Sequence, residues 1–577
     1  MNATRKPRPP PPPPSATESE SFAVSPSADD IKLRSRASHL DAHHSLLVCI
    51  AAKLATTYCL SHRYTQKLTL SDATNETNSD DDDGAARQSE SAKKELDSEQ
   101  VRANQLMRST ITDATGWLLD ITTQFKVDLN VLPDTAPEEE DGHSRGLDQA
   151  FRSGDSDSTD EKARDVAFEL VLVSIGLGEH APQDPTLNYT ALSRTLVVRT
   201  CQLLAISEEK VANAERVISQ ALYFELQAKQ QAKEKGKAGS TTPGGSQEWD
   251  QAAQAYKKEQ AGRNSALKWG ATAAGFLAGG AIIGLTGGGI ILIGTLLGLG
   301  GGGLAGYRTH RRMEGLKEVT FEPIVEADIP AIPSLTASIV ASGFLLDLND
   351  STQPWLAEYH RSPTDTYALK VDPQAFLEAG RNYSSWVRDK LVTLGGTEVI
   401  KHTALAVIYA GVALPMSVYT GATMVLDSDF TRCREKAKKA GILLAEILEK
   451  RVQGTRPVRL MGYGPGATVL FRCLLELHKR SLGDLVYDVV LIGLPESPNR
   501  ISWAAARSVV AHELVNAYST NDWTLAIQAR MYTLSNRVGG LTAVEVEGVR
   551  DVDVSDLVQG HLEMREKVDA ILKRVRG

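Results

Sequence analysis

The spacing of apolar positions changes along the chain, and each change marks a different architecture. Over residues 38–70 apolar side chains recur at helical intervals through Leu46, Leu47, Ile50 and Leu54, which predicts an amphipathic helix. Helical spacing returns from Val101 to about Gln230, with stripes at 116–119, 166–175 and 192–204. Ser207-Glu208-Glu209 opens a long helix through Val217, Ile218, Ala221, Leu222 and Leu226 that turns charged at 229–237. Such a helix suits either a bundle or a coiled coil. After Arg312 short β-branched runs alternate with helices. Strands are expected at 335–342, 367–371, 457–461, 487–491, 514–518 and 541–546, with helices from Asp372-Pro373 and over 430–452 and 467–477. This alternation predicts an α/β fold, a doubly wound, mostly parallel sheet flanked by helices.

Between these regions the pattern lapses. Residues 1–36 carry a proline run and many Ser, Asp and Ala, a composition that buries too little apolar surface to order, so a disordered tail is expected. The predicted organisation continues with a helix over 37–70 and an acidic low-complexity linker over 71–100. A helical region follows over 101–237, then a linker with a helix over 238–267. Residues 269–307 are 39 uncharged positions bounded by Lys268 and Arg308. One spanning helix needs ~20 apolar residues, so 268–308 is read as a glycine-rich transmembrane hairpin that turns at Thr286-Gly287-Gly288-Gly289. Glycines at four- and five-residue spacing let two helices approach closely in lipid. Lys257, Lys258, Arg263 and Lys268 precede it and Arg308, Arg311, Arg312 and Lys317 follow. Both soluble regions are therefore expected in the cytosol, on an intracellular membrane. The uncharged run 403–426 lies between strands of one sheet and is read as a cap helix kinked at Pro415. The last predicted domain spans 319–577.

Composition narrows the chemistry. A net charge of −9 with no clustered basic face argues against nucleic-acid binding. Five scattered cysteines without a Cys-x-x-Cys pair or nearby histidines argue against zinc and a disulfide framework. The basic N-terminus lacks the apolar core of a secretory signal. No cofactor is expected.

The strand expected at 457–461 runs into Gly462-Tyr463-Gly464-Pro465-Gly466 and then a helix, the setting of a nucleophile elbow, Gly-x-Ser-x-Gly. Asp522 and His561 follow later strands, giving the order elbow, acid, histidine. The stretches RPVRLMGYGPGATVLFRCLLEL, YDVVLIGLPES, LVNAYSTNDW and VDVSDLVQGH resemble the transmembrane and coiled-coil domain-containing protein four family, domain-of-unknown-function family 726. The resemblance covers roughly residues 250–575. It implies an α/β-hydrolase-like domain with Asp522 as triad acid, His561 as triad histidine and Gly464 in the nucleophile position. Ser342-Gly343-Phe344 would be the second oxyanion loop, contributing Gly343 and Phe344.

Two positions depart from that pattern. Gly464 has no hydroxyl for His561 to activate. Pro465 stands where the backbone N–H after the nucleophile would serve the oxyanion hole. The expected protein is thus a membrane-associated pseudoenzyme that acts by binding, with the bilayer, an acyl or lipid ligand, and protein partners at its disordered N-terminal segments; a trafficking adaptor with the hydrolase-like domain as scaffold is an overlapping reading. The alternative is an active lipid or ester hydrolase using another nucleophile, with Thr468 and Tyr463 the nearby hydroxyls.

Overall fold

The computed structural model describes residues 33–63, 82–133, 140–153, 156–178, 188–237, 291–292, 315–324, 334–361, 364–393, 422–451, 454–532, 538–558 and 560–577. Among them the strands are β1 (Ile291–Leu292), β2 (Val319–Ile324), β3 (Ala337–Ala341), β4 (Asp365–Val371), β5 (Val458–Tyr463), β6 (Val486–Ile492), β7 (Val510–Tyr518) and β8 (Val549–Asp553). They form one eight-stranded sheet in the order β1-β2-β4-β3-β5-β6-β7-β8. The pairs β1–β2 and β2–β4 are antiparallel and every other pair is parallel. β3 is buried at every residue, as expected of a parallel strand covered on both faces.

The helices are α1 (Ala42–Arg63), α2 (Asp82–Gln124), α3 (Glu140–Phe151), α4 (Ser156–Ser174), α5 (Ala191–Leu203), α6 (Glu208–Lys237), α7 (Leu356–Arg361), α8 (Pro373–Thr393), α9 (Ala422–Glu449), α10 (Pro465–Lys479), α11 (Arg500–Ser508), α12 (Trp523–Tyr532) and α13 (Met564–Arg576). β5 shows how the layers divide. Val458 and Leu460 join one core with Leu470 and Leu474 of α10 and Leu444 of α9. Met461 and Tyr463, on the opposite face, join a second core with Val568, Ile571 and Leu572 of α13. The period of two along the strand thus supplies two separate helix-covered faces.

The N-terminal helices pack against this α/β body, and Ser35–Gly577 is one compact unit. The Ala191 N–H donates to Asp484 O at 3.0 Å. The Arg194 guanidinium lies 4.2 Å from the centroid of the Tyr487 ring and pairs with Glu215 at 2.8 Å, both side chains buried. Tyr189 donates its hydroxyl hydrogen to the same Glu215 at 2.6 Å. Glu99 of α2 pairs with His478 of α10, whose other ring nitrogen meets Ser508 Oγ at 2.7 Å. Losing one partner of such a buried pair typically costs about 3–5 kcal/mol, because the other charge stays buried.

Several expectations need correction. The linker expected over 71–100 is helical from Asp82, where α2 begins. Its Ala, Arg, Gln, Glu, Lys and Leu residues have high helix propensity, and Glu99 anchors it. Residues 71–81 lie outside the described residues. The strand expected at 541–546 is a loop, and the edge strand is β8. Val544 N–H and Glu545 N–H donate to the Asp551 carboxylate, each at 3.0 Å, and Glu545 has a φ of 55° that breaks an extended run. The sequence reading also missed β2. Within the stretch read as a membrane hairpin, Ile291–Leu292 pair with β2 as β1; the rest of 268–308 lies outside the described residues. So do Pro415 and 403–421 of the expected cap helix. Residues 422–426 belong to α9, which starts earlier than the predicted 430.

Ala42–Ser61, within α1, is long and apolar enough to cross a bilayer, and 61% of that window is buried inside the protein. Its Val48, Ala51, Ala52 and Ala55 are fully covered, and Lys53 Nζ donates to Leu132 O at 3.1 Å. It packs as a bundle helix. In α6, buried Val211, Ile218 and Leu222 face the same bundle.

At the layer junction, burial raises the Asp488 carboxyl, but His512 at 2.7 Å and Arg459 at 3.2 Å lower it further, to about 2. A carboxyl that titrates lower in the folded than in the unfolded chain adds stability that is complete above about pH 4 and is lost as pH falls toward 2. Asp488→Asn is therefore expected to lower stability at neutral pH and to flatten the acid limb between about pH 4 and 2. Unfolding midpoints measured across that range check this; an unchanged acid limb would refute the assignment.

Candidate functional site

β5 ends at Tyr463 and α10 begins at Pro465, so strand becomes helix at one residue, Gly464. Its φ of 54° and ψ of −128° lie in a region that side-chain-bearing residues rarely adopt. Gly464 N–H donates to Ile492 O at 2.9 Å, and Gly464 O accepts from Thr468 N–H at 3.2 Å. These bonds pin the turn between β6 and the first helical turn. Pro465 suits the first helical position, where an N–H would have no helical acceptor. Gly466 passes so close to β3 that a Cβ there would sit 2.2 Å from Ala341 O.

The structure brings Asp522 and His561 to this turn. Asp522 is fully buried just before α12. Its Oδ1 accepts from Thr524 Oγ1 at 2.8 Å and from Leu525 N–H at 2.9 Å. Its Oδ2 faces His561 Nδ1 at 2.8 Å. His561, 4% exposed, donates its backbone N–H to Thr524 Oγ1 at 2.8 Å. Thr524 thus ties the carboxylate to the backbone of the histidine. Sequence reasoning missed this residue; the signal was a hydroxyl two positions after the acid in Asn521-Asp522-Trp523-Thr524.

In the tautomer that directs an Nδ1 hydrogen at the carboxylate, a neutral imidazole presents the Nε2 lone pair. Among the described residues Nε2 has no hydrogen-bond partner. It points at the elbow: a Cβ on Gly464 would lie 2.7 Å from it. The imidazole therefore reaches into the space that a side chain at position 464 would use.

The loop after β3 carries Gly343 and Phe344. A Cβ on Gly343 would lie 2.9 Å from the Tyr463 ring and from Tyr463 O. The Phe344 ring packs on Phe430 with centroids 4.8 Å apart and on the His561 imidazole at 6.3 Å. Ser342 Oγ donates to Asp350 O at 2.8 Å and accepts from Trp355 Nε1 at 3.0 Å, which fixes the loop. Tyr463 stacks on Trp355 in the core on the α13 side of the sheet, and burial pushes its phenol well above its ordinary value. Thr468 is buried in the wall of a cavity of about 40 Å³ beside the elbow, together with Phe344, Phe430, Pro465, Pro495 and Leu525.

All five cysteines are free and buried. Burial pushes the thiols of Cys49, Cys201 and Cys433 up to about 12, which makes them poor nucleophiles. No group of three His, Cys, Asp or Glu residues able to hold a metal occurs among the described residues. The arrangement holds an imidazole oriented by a carboxylate and directed at a residue, Gly464, that carries no side chain.

Gly464→Ala introduces a Cβ at positive φ and against Nε2. It is expected to cost about 1–3 kcal/mol, read as a lower denaturation midpoint. An unchanged midpoint would mean that the turn tolerates the added carbon.

Comparison with known proteins places this site in context. A rice (Oryza sativa subsp. japonica) protein named "Transmembrane and coiled-coil domain-containing protein STS1" is 35% identical over 273 residues, 47% of this chain and 40% of the relative. "Uncharacterized membrane protein F35D11.3" of Caenorhabditis elegans is 28% identical over 276 residues, 47% of this chain and 44% of that protein. "Probable lipase MIL1" of Saccharomyces cerevisiae is 30% identical over 244 residues, 41% of this chain and 22% of the relative. The matches span less than half the length of each. No solved structure matches. The family described as "Protein of unknown function (DUF726)" matches residues 264–577, more than half of the chain, and the chain belongs to that family.

Proposed function

We propose that this protein is a membrane-associated α/β-hydrolase-like pseudoenzyme that acts by binding, with an apolar acyl or lipid ligand at the old active site. The observation that carries the reading is Gly464 at the apex of the turn, with His561 Nε2 directed at it. Loss of a triad nucleophile costs on the order of a millionfold in kcat. Pro465 removes one oxyanion donor as well, for roughly a further 10²–10³. Asp522 and His561 are read as triad relics, and Gly343 and Phe344 as the second oxyanion loop. The apolar walls of the adjacent cavity favour an apolar ligand.

The intact Asp522–His561 pair is the observation that favours a second reading, hydrolysis of a lipid or ester by a non-standard nucleophile. Of the nearby hydroxyls, Tyr463 belongs to the core on the α13 side and Ser342 donates to Asp350 O, which leaves Thr468, in the cavity wall one helical turn beyond the apex. The name of the yeast relative, a probable lipase, is compatible with a hydrolytic ancestor.

Membrane association rests on the 39 uncharged residues between Lys268 and Arg308 and on the membrane proteins named among the relatives. Basic flanks on both sides favour cytosolic placement of both soluble regions. Protein partners at the N-terminal segment 1–36 complete the proposal.

Fluorophosphonate labelling tests the chemistry. The native chain is expected to remain unlabelled, and labelling is expected once Gly464→Ser and Pro465→Leu are combined. Strong labelling of the native chain, abolished by His561→Ala, would sink the pseudoenzyme reading. For the membrane, carbonate extraction should leave the chain in the pellet; complete release would refute a spanning hairpin.

A further inference from the structure

The polar groups around the elbow constrain the head group of whatever binds there. Each acceptor and donor of the Asp522–His561 pair is occupied except one. Oδ1 accepts twice, Oδ2 meets Nδ1, and the His561 backbone N–H is held by Thr524. Nε2 alone lacks a partner among the described residues, on a side chain 3% exposed. Leaving a buried acceptor unsatisfied is unfavourable, and a ligand hydrogen would remove that penalty.

The cavity beside the elbow touches the same elements. Pro465 follows Gly464, Leu525 follows Thr524, and the Phe344 ring packs on His561 and also forms part of the wall. Among the described lining residues the charged one, Arg434, is paired with Glu496 at 2.8 and 3.1 Å. Thr468 Oγ1, also in the wall and buried, has no partner among the described residues. A cavity of about 40 Å³ exceeds the ~10–15 Å³ that one water needs. It can seat a head group and the first carbons of a chain.

We infer that the ligand is a neutral amphiphile whose hydroxyl donates a hydrogen bond to His561 Nε2, a long-chain alcohol or the free hydroxyl of a partial glyceride. This rests on the reading above that the site binds an apolar ligand. An ester has no hydrogen to give Nε2, and Pro465 has no N–H to offer its carbonyl. A carboxylate would bring a second negative charge beside the buried Asp522, where low polarizability strengthens repulsion, and Arg434 is already paired. A hydroxyl at the elbow satisfies Nε2 without either difficulty, and Thr468 Oγ1 is a further polar group in the wall of the neighbouring cavity, which Phe344 joins to His561.

The test compares 1-decanol, methyl decanoate and decanoate, three probes that share a chain length and differ in head group. Binding is measured by isothermal titration to the full chain in nanodiscs, with empty nanodiscs as the reference. Decanol is expected to bind roughly tenfold more tightly than the ester or the acid anion. His561→Phe, which keeps a ring, is expected to bring the decanol-to-ester ratio near one while chain binding persists. Equal affinities for all three on the native chain would overturn the head-group inference and leave the apolar-ligand reading standing. No binding of any probe would overturn both. The native comparison decides the matter even if the His561 variant does not fold.

Discussion

The turn at Gly464 is the constraint on which the site depends. β5 is central and buried, so the chain leaving it must reverse at once to lay α10 against the sheet. That reversal requires φ near 54° at one residue, held by hydrogen bonds to Ile492 O and from Thr468 N–H. The same geometry exposes a side chain at the apex in proteins that use one. Glycine meets the backbone requirement with the least strain, and proline at the next position starts the helix. The turn therefore forms with glycine and proline at these two positions.

Around the turn the orienting framework is complete. Asp522 is buried with both carboxylate oxygens engaged, and Thr524 joins it to the His561 backbone. The His561 side chain is held on Nδ1 by Asp522, and among the described residues its Nε2 has no hydrogen-bond partner. Its Nε2 stands within 2.7 Å of the place a Cβ at 464 would take. The imidazole has the room because no side chain competes for it.

The helical region is part of the same body. Glu99 with His478, and Arg194 with Tyr487 and Glu215, fasten α2 and α5 to the α/β layers through buried polar contacts. Buried ionic pairs of this kind contribute little net stability against an apolar alternative, yet breaking one leaves a stranded charge. They hold one packing arrangement of helices on sheet. Leu106 of α2 also enters the core shared by α9 and α10.

The α/β alternation and the strand-to-helix turn at Gly464 were legible in the sequence because local pattern sets them. Period-two apolar runs define strands, and a glycine turn between strand and helix defines an elbow. The absence of a hydroxyl at Gly464 and of an N–H at Pro465 follows from residue identity alone. Other features depend on distant partners. Whether 541–546 forms a strand turned on Asp551, which draws those backbone N–H groups away from a ladder. The helix from Asp82 carries a charged sequence that reads as linker until Glu99 meets His478, 379 residues away. Thr524 gained its role only when His561 arrived from 37 residues downstream. The sequence determined which chemical groups the site owns; tertiary packing decided which of them meet and that, among the described residues, Nε2 has no hydrogen-bond partner.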